Sequence, residues 1–164
     1  TTNNVDEYLD ALRHRLIKMP PKQAVLEELS ALGFSDEESI EIIEDLEYEG
    51  YLNDKEYISA YLHKKQHNNG YATTLIRENL ISQGLPDDLI TAVFETESAT
   101  QKDIQNSIAL AQKYLTRELN NDITDPNWVN AARARTQAKL ARRGYNEDTI
   151  NAAIREACGK ILDQ

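Results

Sequence analysis

The chain is poor in the residues that staple, break or anchor structure. It has one cysteine, Cys158, so no internal disulfide framework is possible, and a reducing, cytoplasmic setting is expected. Six glycines and four prolines are too few for an all-β protein built on many tight turns. No apolar run approaches the ~20 residues of a membrane span. No basic and apolar signal segment opens the sequence. The first residue is Thr rather than Met, which fits a processed or trimmed piece of a longer chain. Gly-rich phosphate loops, nucleophile elbows and Cys/His clusters are missing, so nothing points to an enzyme, a metal or another cofactor.

What is present suffices for a folded core. Hydrophobic residues make up 40% and charged residues 28% of 164, which suits one compact domain or a short array of small units. The net charge is -10. Residues 1–52 hold 4 basic and 13 acidic side chains, residues 53–100 hold 4 and 7, and residues 101–164 hold 10 and 8. The chain is therefore acidic at its start and slightly basic at its end. Weak or no binding to free DNA is expected, although a local basic face could still dock.

Helical periodicity dominates. Val5, Leu9, Leu12 and Leu16 share one stripe, which Pro20 and Pro21 stop. Pro21 opens a second helix with Ala24, Val25, Leu29 and Leu32, and Ser35 starts a third with Ile42, Ile43 and Leu46 inward. The plan repeats through Tyr57–Leu62, Leu75–Leu80 and Ile90–Phe94. It repeats again through a longer helix with Ile104, Ile108, Ala111, Leu115 and Leu119. Residues 120–125 form a loop, and Pro126 opens the next helix.

One scheme recurs: Leu, three residues, Gly, a large apolar residue, a cap, then two acids. It fits Leu29 to Gly33-Phe34, Leu80 to Gly84-Leu85 and Leu140 to Gly144-Tyr145. A left-handed Gly closes one helix, the apolar residue folds back on its last turn, and the cap starts the next. The spacing predicts an all-α fold of tandem three-helix repeats, 1–52, 53–99 and 100–164, stacked into an elongated, curved array.

Candidate chemistry is sparse. His63 and His67 stand four apart on one helix, but no third ligand is near in sequence, so solvent-facing histidines are the plainer account. Cys158 reads as a small buried hydrophobe. Residues 131–143 stand out with five bases, Arg133, Arg135, Lys139, Arg142 and Arg143, and no acid. Helical spacing puts the last four on one stripe beside an apolar face holding Val129 and Leu140. A solvated helix with cations near its C-terminus would account for Arg142 and Arg143. A docking stripe for an acidic protein surface or a phosphate backbone accounts for the rest. Lys64, Lys65 and Arg77 form a weaker second set around the Asn68-Asn69-Gly70-Tyr71 turn.

The middle stretch resembles the RecX family. The resemblance rests on Leu46-Glu-Tyr-Glu-Gly50-Tyr51-Leu52-Asn53-Asp54, the following Tyr57, Ile58 and Tyr61, then Gly70-Tyr71, Ile76, Leu80 and Gly84-Leu85. It covers nearly the whole chain, because the family is built of repeated three-helix units. It implies a non-enzymatic regulator of the RecA recombinase in recombination, DNA repair and the SOS response. Such a protein binds in the groove of the RecA–DNA filament and restrains its growth, with no cofactor and no membrane. The alternatives are a helical interaction scaffold with an unrelated partner, or a helix-turn-helix DNA-binding regulator. The last is disfavoured by the acids that open the helices after Gly33 and Gly84.

Overall fold

The computed structural model describes residues 2–120 and 126–163, so most of the expected 120–125 loop lies outside the described residues. Among the described residues the protein is all-α, with no strand. The helices are α1 (Thr2–Arg15), α2 (Lys22–Ala31), α3 (Asp36–Tyr48), α4 (Asp54–His63), α5 (Thr73–Ser82), α6 (Asp87–Thr96), α7 (Ala99–Glu118), α8 (Trp128–Arg142) and α9 (Glu147–Leu162). A 3₁₀ turn, Leu16–Lys18, follows α1, and a π-helical turn, Lys64–Asn68, follows α4. Packing gathers the chain into two compact units, Thr1–Tyr61 with Asn79–Val93 and Leu62–Glu78 with Phe94–Gln164. Residues of the expected middle repeat, 53–99, contribute to both.

Helix ends follow the letters. Ser35 caps α3 through a capping box: its Oγ accepts from Glu38 N at 3.1 Å, and Glu38 Oε1 accepts from Ser35 N at 3.2 Å. Asn53 Oδ1 accepts from Glu56 N, and Asn146 Oδ1 from Thr149 N, so both are N-caps. At the other ends, Phe34 N donates to Leu29 O, Leu85 N to Leu80 O, and Tyr145 N to Leu140 O. These are the six-to-one bonds that a left-handed Gly permits, and Gly33, Gly84 and Gly144 have φ of 93°, 88° and 95°. Tyr51 N donates to Leu46 O in the same way, so the glycine closure, without the cap and two acids directly after it, occurs a fourth time, at Gly50. All four leucines are at most 1% exposed, so each closure also buries a core side chain.

Two further devices were not legible in the letters. In the first unit, Asp54 does not cap its own helix; its Oδ1 accepts from Lys22 N at 3.0 Å, at the start of α2. In the second, Asp103 on α7 accepts from Thr73 N at 3.1 Å with each oxygen and from Thr73 Oγ1 at 2.6 Å, at the start of α5. Each carboxylate satisfies an orphan N–H of a helix distant in sequence and sits at its positive end. The glycines pack onto the same first turns. A Cβ at Gly84 would come within 2.5 Å of Gln23 Cγ, and one at Gly144 within 2.6 Å of Leu75 Cβ. Gly33 meets nothing within 4 Å.

Some expected core positions are not buried. Ala24 is exposed, Leu32, Ile104 and Leu119 are about half exposed, and α8 starts at Trp128 rather than Pro126. Val129, placed by helical angle beside Leu140, is 54% exposed while Leu140 is fully buried. Val129 borders an open apolar groove with Leu115, Leu119, Ala132 and Cys158. Cys158 is half-buried against the second unit's core of Leu140, Tyr145, Ile150 and Ile154. The first unit's core is Leu12, Leu16, Val25, Leu29, Ile43, Leu46 and Leu52.

Gly33→Ala should cost about 1–2 kcal/mol, the left-handed penalty alone. Gly144→Ala should cost about 2–4 kcal/mol, because overpacking against Leu75 adds to it. Urea unfolding of the two variants measures the difference. Equal losses would remove the close-approach argument.

Candidate functional site

A cationic recess lies within the second unit. Its floor begins at the π-helical turn. Gln66, 4% exposed, donates through Nε2 to Ala99 O at 2.8 Å and to Asp103 Oδ1 at 3.2 Å, while its backbone carbonyl accepts from Asn106 Nδ2 at 3.3 Å. Tyr71 N reaches back to Lys65 O, and Gly70, with φ of 67°, turns the chain into α5. A Cβ at Gly70 would press on Leu110 Cδ1 at 2.9 Å. Ala72 N then donates to Arg143 O at 2.8 Å, tying this turn to the end of α8.

Arg143 is the centre of the arrangement. Its Nε donates to Tyr114 Oη at 3.0 Å, its Nη1 donates to Asn69 O, and its guanidinium lies over the Tyr71 ring at 5.6 Å. Tyr145 Oη donates to Gly70 O at 2.7 Å. Burial, helped by the Asp103 charge, holds the Tyr145 phenol far above its ordinary pKa, so it remains a neutral donor. Lys139 Nζ sits 4.9 Å from the Tyr114 ring centre, and Lys65 Nζ 5.9 Å from that of Tyr71. The aromatic faces thus hold cations in place.

Around this frame two adjoining cavities open. One, of about 390 Å³, is lined by Tyr71, Tyr114, Arg117, Lys139, Arg142 and Arg143. The other, of about 430 Å³, shares Tyr114, Arg117 and Arg143 and adds Lys113, His67 and the Asn68-Asn69-Gly70 backbone. Among the described residues no Asp or Glu lines either one. The concentration of positive charge favours an anion with several charged oxygens.

The structure divides the bases that the sequence grouped. Lys139, Arg142 and Arg143 come together in the recess. Arg135 does not join them: its Nε and Nη2 donate to Glu118 at 2.8 and 2.7 Å, and that carboxylate is buried at 5% exposure. The buried acid raises the Arg135 pKa through those hydrogen bonds. Arg135, itself exposed, is therefore ion-paired to Glu118 and stands apart from the recess that Lys139, Arg142 and Arg143 line. Arg133 and Lys64 are exposed and line neither cavity. Lys65 adjoins the site over the Tyr71 ring and lines neither cavity, and Arg77 packs over Phe94 at 5.2 Å.

Arg117, Lys113 and Tyr114 on α7 were missed. The signal was a Lys and an Arg four apart beside a tyrosine, in a segment where isolated charges look ordinary. The His63 and His67 rings meet edge to face at 5.1 Å. Among the described residues no three His, Cys, Asp or Glu side chains gather as a metal site, and no helix is long and apolar enough to cross a membrane.

Fold and site define an all-α protein of recurrent helix closures with a cation-lined recess. No family model matches the sequence. The regulatory protein RecX of Bacillus mycoides (strain KBAB4) is 26% identical over 149 residues, 91% of this chain and 53% of that protein. RecX of Bacillus cereus (strain B4264) is 24% identical over the same share. The chain thus spans about half the length of the curated relatives it matches. Among solved structures, RecX from Lactobacillus salivarius superposes with a TM-score of 0.76 at 18% identity, covering 96% of this chain and 98% of that one. A second RecX crystal structure gives 0.65 at 16% identity, covering 94% and 69%. The chain is thus similar in sequence to RecX regulatory proteins and shares the fold of the solved RecX structures.

Arg143→Ala should destabilise the fold by about 2–3 kcal/mol, since two charge-assisted hydrogen bonds are lost. Arg142→Ala should stay within about 0.5 kcal/mol, as for an exposed surface change. Thermal or urea unfolding of both variants checks this. A neutral Arg143→Ala would mean that the guanidinium does not hold the turn.

Proposed function

We propose that this chain is a non-catalytic regulator of the RecA recombinase, built of three helical repeats that dock on the RecA–DNA filament and restrain its growth. The observation that supports the reading most is the likeness to RecX proteins across 91% of the chain, carried by the same fold in solved RecX structures. The recess around Arg117, Lys139, Arg142 and Arg143 is the proposed docking surface. It replaces Arg133 and Arg135 as the leading contacts of the third repeat, with Lys65 in support and Lys64 and Arg77 peripheral. The acidic first turns of α3 and α6 count against reading the protein as a helix-turn-helix regulator, because phosphates repel them. Reliance on a filament rather than bare DNA suits the net charge of -10.

RecA ATPase on single-stranded DNA, with this chain titrated in, tests the reading. Turnover should fall as the chain approaches stoichiometry with RecA. Unchanged turnover at a large excess would contradict it and favour a scaffold with an unrelated partner.

A further inference from the structure

We propose that a second copy of this chain is an occupant of the recess: the acidic outer face of α3 on one copy docks on the recess cations of another. The inference uses the recess as geometry and needs nothing of the RecA reading.

Three observations carry it. First, α3 presents a face of one sign. Residues 36–49 hold eight acids and no base. Ser39, Ile43 and Leu46 are buried, and helical spacing puts the exposed Glu37, Glu41, Glu44 and Tyr48 on the opposite side. Glu38 is used in the capping box and Glu49 by Arg13 at 2.9 Å. Among the described residues none pairs with Glu37, Glu41 or Glu44. Second, that face carries Tyr48, 94% exposed. A helix face that served only solubility would have no use for an aromatic ring, whereas tyrosines anchor interfaces. Third, the recess is the complement. Its two cavities are lined by cations and, among the described residues, by no acid. Lys113 and Arg117 stand one turn apart on α7, as Glu37 and Glu41 do on α3, so both rows step by about 6 Å. Lys139 and Arg143 already lie over tyrosine rings. The exposed Arg117 and Arg142 lie over none, and Tyr48 offers them a face.

Both copies carry a net charge of -10, so the contact forms against a long-range repulsion. Salt of about 50 mM screens that repulsion beyond roughly 14 Å and leaves the contacting charges attractive. Rim-exposed pairs are individually modest, so Kd is expected on the order of 100 μM to 1 mM. At low micromolar concentration the chain is single. The contact covers Arg117 and Arg142, so dilution or salt frees the recess for any other occupant.

Sedimentation equilibrium of the whole chain, from about 5 to 500 μM in about 50 mM salt, provides the test. The mass average should rise with concentration by about a quarter or more, and about 500 mM salt should abolish the rise. Glu41→Gln/Glu44→Gln should weaken association at least threefold although it lowers the net charge. General charge repulsion predicts the opposite sign. Arg117→Gln/Arg142→Gln should weaken it equally, and Lys64→Gln/Arg133→Gln, with the same charge change outside the recess, should not. Each weakened variant keeps one intact surface, so an equimolar mixture of the two should associate again. Circular dichroism melts establish that the variants are folded. No rise in mass, a rise that survives high salt, tighter association of the α3 variant, or a silent mixture would each overturn the proposal. Hydrogen–deuterium exchange of the unaltered chain serves if a variant fails to fold. Exchange in 37–48 and 113–117 should slow between about 5 and 500 μM, and equal exchange at both would overturn the proposal. No arm contains RecA or DNA, so this inference and the ATPase reading fall separately.

Discussion

The Asp103 carboxylate is the constraint on which the second unit depends. The start of α5 has backbone donors that no residue of α5 can satisfy, and Asp103 supplies the acceptor from α7. The same carboxylate accepts from buried Gln66, which fixes the π-helical turn after α4. That turn sends Asn69 O and Gly70 O toward Arg143 and Tyr145. Remove the carboxylate, and the start of α5, the turn and the guanidinium that orders the recess lose their common anchor. Asp54 plays the first of these parts for α2 in the first unit, where it is 8% exposed against Lys22 N. A helix start capped from a later helix is thus a device the chain uses twice.

These cross-helix caps explain why small glycines matter beyond conformation. Gly84 and Gly144 reach the first turns of α2 and α5, the very turns that Asp54 and Asp103 cap. One helix start is gripped by a carboxylate on one side and by an unobstructed backbone on the other. A side chain at Gly144 would push on Leu75 and so on the capped turn. The packing that builds the repeat therefore also positions the recess, since Ala72 N and Arg143 O join across the same place.

What the sequence revealed was local. The closures at Gly33, Gly84 and Gly144 and the caps Ser35 and Asn146 depend on residues within six positions, and they stand as expected. The partnerships that decide the site span long separations. Asp103 and Thr73 are 30 residues apart, Arg135 and Glu118 are 17, and Arg143 and Asn69 are 74. Helical angle alone could place Arg135 beside Lys139, but it could not reveal a buried acid on α7 that claims it. Likewise Val129 shares the angle of Leu140 but borders an open apolar groove and is 54% exposed. The basic run supplies Lys139, Arg142 and Arg143 to the recess, and the other cations come from α7, where Lys113 and Arg117 lie among ordinary polar residues.

Hydrogen–deuterium exchange of this chain, alone and added to RecA filaments on single-stranded DNA, tests the central claim most directly. Slowed exchange confined to peptides covering 113–117, 139–143 and the 66–71 turn is the expected result, with α3 unchanged. Protection centred on α3, or none in those three segments despite filament binding, would contradict a recess-centred docking surface.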